Sequence, residues 1–597
     1  MNQRLLLQSS IFNRPSSIRN PRSSILDSRS SSLRVQHSEE AAPPVYARED
    51  LLARRFRFTK VLPYQQSAPF ISNLSLAIFS GLLLVFAFPE WNLWSLGWVG
   101  TAPLIMAVVR EQRFWRSLLL GLVTGTIFFA GSSHWITYSM HNYGDIPLAL
   151  SYVILIIFAA TVAVFTGMFA ATLSLAIKRF GSWSILAAPV LWAASEWLRL
   201  EATGMGWNPL GYSQAFQPAV IQVARVGGVY LVSAVLVAAS TALVFAVVYV
   251  ERQRGIVVLT AAGVIAIGAV IYGESLRPSV DDSGSVIAAV IQPNIPIDGA
   301  WDDPRFFDEM FQRFVTLSEQ AVRANAQDPS AAASTGKNTA IDLIIWPESP
   351  MNFEYDRDRY LQSRLAEFTR RNQVYLLMNT WGFPAGDSSS GPQYNSVVLI
   401  SPSGEKVAEY DKNALVPFGE YVPARGWLPF MNRIKALSGD ITPGTALSLP
   451  EAAGAKVGAL ICFETTRPDL ARRMRRAGAS AFIQLSNEAW FGPTSAPRQM
   501  LSTAIFRAVE NNIDLIRATN SGLSARIDHY GIVSGETPNF ETATRTWKIK
   551  TADEARGDSL TFYTRYGDVF AVACVVASAL LLLAAALRPV LKVRDRD

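Results

Sequence analysis

At 597 residues the chain has room for roughly four compact units of about 150 residues, but only 17% of it is charged against 50% hydrophobic, and its mean hydropathy is +0.20. Soluble chains carry about 25% charged residues, so a disordered protein is excluded and an all-soluble enzyme disfavoured; two cysteines exclude a disulfide-dense secreted scaffold. The net charge of +6 comes from residues 1–60, with 11 Lys/Arg against 5 Asp/Glu, while the remainder has 43 of each sign, so the basic balance belongs to a tail and not to a nucleic-acid-binding face.

In chain order, residues 1–69 read as a basic, Ser-rich, disordered cytoplasmic tail, without an apolar run long enough for a signal-peptide core. Charge-free stretches then follow at 70–88, 91–109, 117–133, 147–177, 229–250, 256–273 and 569–587, between 17 and 31 residues long. Crossing a bilayer takes about 20 residues, and each reads as a membrane helix. Residues 182–195 are shorter and run into Glu196 and Arg199; they count as an eighth span with a polar outer end. With the tail inside, the cytoplasmic loops hold Arg110, Arg113, Arg116, Lys178, Arg179, Arg252 and Arg254, as the positive-inside rule requires. The organisation expected is thus a membrane domain of seven helices at 70–273, an extracytoplasmic domain at 274–567, a last helix at 568–590 and a cytoplasmic C-terminus at 591–597.

The segment 284–552 has a different texture. Short β-rich runs recur at 286–291, 343–346, 374–378, 396–400, 457–462, 481–485 and 515–518, with helix-like stretches at 304–326 and 357–371 and a polar loop at 327–340. Alternating strand and helix over about 270 residues makes an α/β domain with its own core.

Cys462 ends one of these runs, where α/β enzymes place reactive groups. A buried hydrophobic cysteine is the competing reading, and it suits Cys574, which lies inside the last span. A thiol nucleophile needs a base and a partner for a developing oxyanion. Of four histidines, His37 lies in the tail and His134 and His141 in the membrane half, which argues for a base other than histidine. Glu348 ends the run at 343–346 much as Cys462 ends its own, and Lys412 could favour a thiolate and hold negative charge.

The words around these three residues are distinctive. Trp-Pro-Glu-Ser at 346–349, Tyr-Asp-Lys-Asn and Val-Pro-Phe-Gly-Glu within 410–420, and Ile-Cys-Phe-Glu at 461–464 resemble the Glu-Lys-Cys site of the nitrilase superfamily. More narrowly, the stretch 412–423, Ser-Asn-Glu-Ala-Trp-Phe-Gly at 486–492, Arg-Ala-Val-Glu at 507–510, Arg-Ala-Thr-Asn-Ser-Gly at 517–522, and the membrane-half words Glu-Trp-Leu-Arg at 196–199, Thr-Gly-Met-Gly-Trp at 203–207 and Gly-Tyr-Ser at 211–213 resemble the bacterial apolipoprotein N-acyltransferase family.

That resemblance implies a multi-pass helical membrane domain of about eight spans carrying a nitrilase-like α-β-β-α sandwich. It implies an inner-membrane enzyme with its catalytic domain on the periplasmic side. A phospholipid, typically phosphatidylethanolamine, would give an acyl chain to Cys462, and the thioester would pass it to the N-terminal amine of a diacylated apolipoprotein. By motif, Glu348 is the base, Lys412 the oxyanion holder and Cys462 the nucleophile. Glu420 would orient Lys412 or the base, and Glu464 would sit beside the nucleophile. Trp301, Trp490, Asn487 and Trp207 are candidate substrate contacts. No metal, cofactor or nucleic acid is implied. Met500 stands where many members have His, with a change of packing expected. A membrane-tethered amidase of the same fold is the alternative.

Overall fold

The charge-free runs that carry no internal proline form continuous helix. The computed structural model describes residues 69–248, 252–278, 286–297, 303–326, 341–348, 351–384, 392–422, 441–552 and 560–587. The tail to 68, the loop at 327–340, Trp301 and the C-terminus beyond 587 fall outside them. Among the described residues, six helices are long and apolar enough to cross a membrane: Phe70–Ala87, Phe114–Ser132, Leu148–Phe180, Ala224–Val248, Gln253–Ser275 and Val569–Leu587.

Two of the eight expected spans are not uniform helices. Residues 91–109 divide into a 3₁₀ turn at Trp94–Trp98 and a ten-residue helix at Ala102–Glu111. Gly97 and Gly100 weaken the helix between them, and Pro103 lacks an N–H and fits only a first turn. Residues 182–195 begin as a 3₁₀ turn at Ser182–Ala187 and become α-helical at Ala188–Thr203, again with a proline in the first turn.

The membrane helices pack through small residues. A side chain at Gly121 would run into the Thr166 carbonyl and one at Gly125 into the Ala163 methyl, so this Gly-x-x-x-Gly stripe lets Phe114–Ser132 lie directly on Leu148–Phe180. Ala224–Val248 is central, with 61% of its apolar window buried against 11% for Gln253–Ser275. Its first turn is broken at Gly227 and at Gly228, whose φ is +65°.

The α/β part holds two six-stranded sheets. With β1 Val286–Gln292, β2 Leu343–Ile345, β3 Tyr375–Gly382, β4 Tyr394–Ile400, β5 Lys406–Asp411, β6 Glu451–Ala452, β7 Ala455–Ile461, β8 Ala481–Ser486, β9 Leu515–Thr519, β10 Ala525–Ile527, β11 Val533–Ser534 and β12 Ala543–Ile549, the orders are β12-β1-β2-β3-β4-β5 and β11-β10-β9-β8-β7-β6. Within them β1, β2 and β3 run parallel, as do β7, β8 and β9. Central strands buried on both faces read as apolar runs, and all seven expected strands are present. The outer face of the first sheet is covered by Pro304–Ala326 and Arg359–Asn372, through Phe311, Phe314, Leu365 and Phe368 against Ile344, Trp346, Leu376 and Val398. The other core is continuous from the membrane helices (Leu84, Phe128, Val237) into the space between the sheets (Val290, Ile345, Ile461, Leu485). The membrane helices and the facing sides of the two sheets therefore share one hydrophobic interior.

Candidate active site

Three strand ends meet at one edge of the sandwich. Glu348 lies just beyond β2, Lys412 directly follows β5, and Cys462 directly follows β7. Lys412 is 1% exposed, and its Nζ lies 2.6 Å from Glu420 Oε1 and 3.6 Å from Glu348 Oε1. Glu348 Oε1 accepts from Asn395 Nδ2 at 3.0 Å, and its Oε2 accepts from the Asn487 backbone N–H at 3.0 Å. Glu420 Oε2 accepts from the Val416 N–H at 2.8 Å. Burial alone would lower the Lys412 pKa, but Glu420 and Glu348 outweigh it and hold the ammonium above the ordinary lysine value.

Cys462 opens a 3₁₀ turn, Cys462–Thr466, with φ at +49°, a left-handed conformation that costs a non-glycine residue about 1–3 kcal/mol and persists only where the surroundings enforce it. Burial first, then the Glu348 charge, push its thiol up to about 12, against the pull of Lys412 and the Ser486 hydroxyl. The expectation that Lys412 favours a thiolate holds in sign but not in outcome. The resting sulfur is protonated at neutral pH and needs a base.

Glu464 lies within the turn that Cys462 opens and is fully buried. Its Oε1 accepts from the N–H groups of Asn413 at 2.7 Å and Ala414 at 3.1 Å and from Tyr410 Oη at 2.8 Å, and its Oε2 accepts from the Ile461 N–H at 2.8 Å. One carboxylate thus ties the residues after Lys412 to the residue before Cys462. Burial lifts its pKa to about 7 despite these donors.

The other expected contacts are spread more widely. Asn487 meets Glu348 through its backbone, while its side-chain oxygen accepts from Asn520 at 3.1 Å. Trp490 is 45% exposed, and its ring lies edge-on to Tyr143 of the membrane half at 5.2 Å. Trp207 is buried; its Nε1 donates to Gln499 at 2.7 Å and its ring tilts against Trp135 at 5.0 Å. Met500 sits at 1% exposure in the shared core. Sequence reasoning missed Asn395, which bridges Glu348 and Glu420 and accepts from Asn379 at 2.7 Å. Its signal is an amide at the start of an otherwise apolar run.

Two family models divide the chain as the structure does: Apolipoprotein N-acyltransferase N-terminal domain matches residues 80–242, and Carbon-nitrogen hydrolase matches residues 287–556. A protein of Geobacter metallireducens named Apolipoprotein N-acyltransferase is 33% identical over 516 residues, covering 85% of this chain and 94% of its own. The chain belongs to the apolipoprotein N-acyltransferase family. A second family member, from Vibrio vulnificus, is 29% identical over 78% of this chain and 89% of its own. Among solved structures, an amidase from Nesterenkonia sp. AN1 aligns at 19% identity over 47% of this chain and 96% of its own, with a TM-score of 0.32.

Two of the family words at 507–522 become buried ion pairs. Arg507 Nη2 lies 2.7 Å from Glu510 Oε2 with both side chains wholly buried. Glu510 Oε1 accepts from the Val229 N–H at 3.0 Å, capping the membrane helix where Gly227 and Gly228 break it, and Arg507 Nη1 donates to the Thr465 carbonyl in the Cys462 turn at 2.9 Å. Arg517 pairs with Glu488, also at zero exposure. Gln499 joins the halves more broadly. Its Nε2 donates to Pro89 O, Ser132 O and Ser495 Oγ, and its Oε1 accepts from Trp135, Trp207 and Asn208.

Proposed function

We propose that this membrane acyltransferase moves a fatty acyl chain from a phospholipid, phosphatidylethanolamine by preference, to the N-terminal α-amine of an S-diacylglyceryl-cysteine apolipoprotein, through a thioester on Cys462. The observation that carries the reading is the convergence of Glu348, Lys412 and Cys462 on one edge of the sandwich, with Lys412 buried between two carboxylates. Family membership supports lipoprotein acylation over the amidase alternative, because the matched N-terminal model covers the membrane half that a tethered hydrolase would not need.

In the first half-reaction Glu348 takes the proton of the neutral thiol as Sγ attacks the ester carbonyl. The Lys412 ammonium holds the oxyanion, and the lysophospholipid alkoxide leaves with the proton from Glu348. In the second, the acceptor amine attacks the thioester, Glu348 takes the amine proton and returns it to the departing thiolate, and an amide remains. Glu420 holds Lys412 in place, and Glu464 fixes the two loops that carry Lys412 and Cys462. Trp490, exposed beside Tyr143, offers an apolar wall for lipid. Among the described residues five long apolar helices precede the α/β part; with the shorter helical segments at 91–111 and 182–203 they make seven crossings, an odd number that keeps Arg110, Arg113, Arg116, Lys178 and Arg179 on the side of the tail and supports placing the site on the periplasmic face of the inner membrane.

Purified protein incubated with phospholipid, quenched and digested, should carry an acyl mass on the peptide containing Cys462, discharged by a diacylated lipopeptide. A protein that N-acylated the lipopeptide with Cys462 never modified would overturn the mechanism.

A further inference from the structure

Arg517 takes no part in these proton transfers, yet it is buried and its guanidinium serves three separate segments. Its Nε donates to the Leu523 carbonyl at 2.9 Å, its Nη1 to Gln484 Oε1 at 3.5 Å, and its Nη2 pairs with Glu488. Gln484 and Arg517 are register partners on β8 and β9. From the other end of its amide, Gln484 Nε2 donates to the Cys462 carbonyl at 3.2 Å, which also accepts from Thr465 Oγ1 at 3.2 Å. These bonds hold the peptide that follows the left-handed Cys462. Glu488 immediately follows Asn487, whose N–H supports Glu348 Oε2 at 3.0 Å. Gln484, Glu488 and Arg517 are all at 0% exposure.

We infer that Arg517 is a positioning residue whose fork sets the Cys462 turn, through Gln484, and the Glu348-supporting turn at 487–488, through Glu488, in a single frame. The inference rests on the reading of Cys462 as nucleophile and Glu348 as base. A guanidinium suits the task because its planar donors reach several acceptors at fixed angles, whereas an ammonium is a point charge. Lysine at 517 can satisfy Glu488 but not Gln484 and Leu523 as well.

The test measures single-turnover acylation of the full-length protein by phospholipid in mixed micelles. Arg517→Lys should lower the maximal acylation rate about 10–100-fold, the scale of a misplacement near 1 Å, while half-saturation by phospholipid stays within about twofold. Gln484→Met keeps the volume, leaves the Arg517–Glu488 pair in place and removes the donor to the Cys462 carbonyl; it should shift the rate the same way, by about tenfold. If both variants acylate at the wild-type rate per folded molecule, even with lowered melting temperatures, the residues are structural and the inference falls. Should Arg517→Lys fail to fold, Gln484→Met decides alone. Wild-type protein in the same assay separates the two readings: no acyl group on its Cys462 would count against the proposed function itself.

Discussion

Two buried cations in this molecule are handled in opposite ways. Lys412 faces two carboxylates, Glu348 and Glu420, whose side chains remain 13% and 14% exposed. Arg507 faces one carboxylate, Glu510, with both at zero exposure; beyond Tyr212 beside the guanidinium, the pair bonds backbone, the Thr465 carbonyl and the Val229 N–H. A cation with surplus negative charge beside it, near a route to solvent, can let one carboxylate gain and lose a proton without leaving a bare charge. A sealed one-to-one pair cannot, because removing either charge strands the other. The first arrangement suits chemistry and the second suits assembly.

The strongest test removes the thiol proposed to carry the acyl chain. Cys462→Ser should abolish transfer, since a hydroxyl is far less acidic than a thiol and Glu348 and Lys412 will not ionise it. Turnover by that variant would remove the thioester route. On the assembly side, Arg507→Met should cost about 3–5 kcal/mol of stability by leaving Glu510 buried without its cation. That loss should depend on pH with a definite sign. Burial raises the Glu510 pKa from 4.5 to about 7, so the fold prefers its protonated form, and stability is present below 4.5 and lost as pH rises through about 7. Melting in detergent at pH 5.5 and pH 8 should show the larger deficit at pH 8; an equal deficit would mean Arg507 contributes packing and not charge.

Lys412→Met should retain the fold and lower the rate about 10²–10³-fold, the loss typical of one oxyanion donor. If the fold failed while the rate per folded molecule held, Lys412 would belong with Arg507 and the contrast would collapse. A finer test concerns the thiol. With its pKa pushed up to about 12, alkylation of Cys462 by a small neutral haloacetamide should climb about tenfold per pH unit from 7 to 10 without levelling, because only the thiolate reacts. A plateau near pH 9 would mean that Lys412 outweighs burial and Glu348. The smallest expected effect is that of Cys574→Ser, which should leave transfer unchanged.

The charged members of the site were legible because each sits in a short word at the end of an apolar run, and so were the seven central strands, whose double-sided burial writes itself as Val, Ile and Leu. Asn395 and Gln484 were not legible. An amide in a strand looks the same whether it faces solvent or a carboxylate, and only the pairing of β4 with β3 and of β8 with β9 decides which. The edge strands β5 and β12 were missed because they mix charged and apolar residues, as at Lys406–Asp411 and Ala543–Ile549. The uniform span expected at 91–109 misled because hydropathy counts apolar residues and ignores the glycines and proline that interrupt the helix. Glu464 was placed beside Cys462 by the family motif; its service to two loops at once depends on the chain after β5 coming within reach of the end of β7.

The clasp around Gln499 makes the two halves inseparable in the laboratory. Cutting the chain at 274 and 567 to obtain the catalytic part as a small soluble enzyme would expose a freshly cut interior. Gln499 would lose its partners at Pro89, Ser132, Trp135, Trp207 and Asn208, Glu510 would lose Val229, and the apolar residues that continue the core toward Leu84 and Val237 would face water. Such a fragment should aggregate. An engineer seeking a lipid-free version would have to rebuild that floor, starting from Gln499, before touching the catalytic edge.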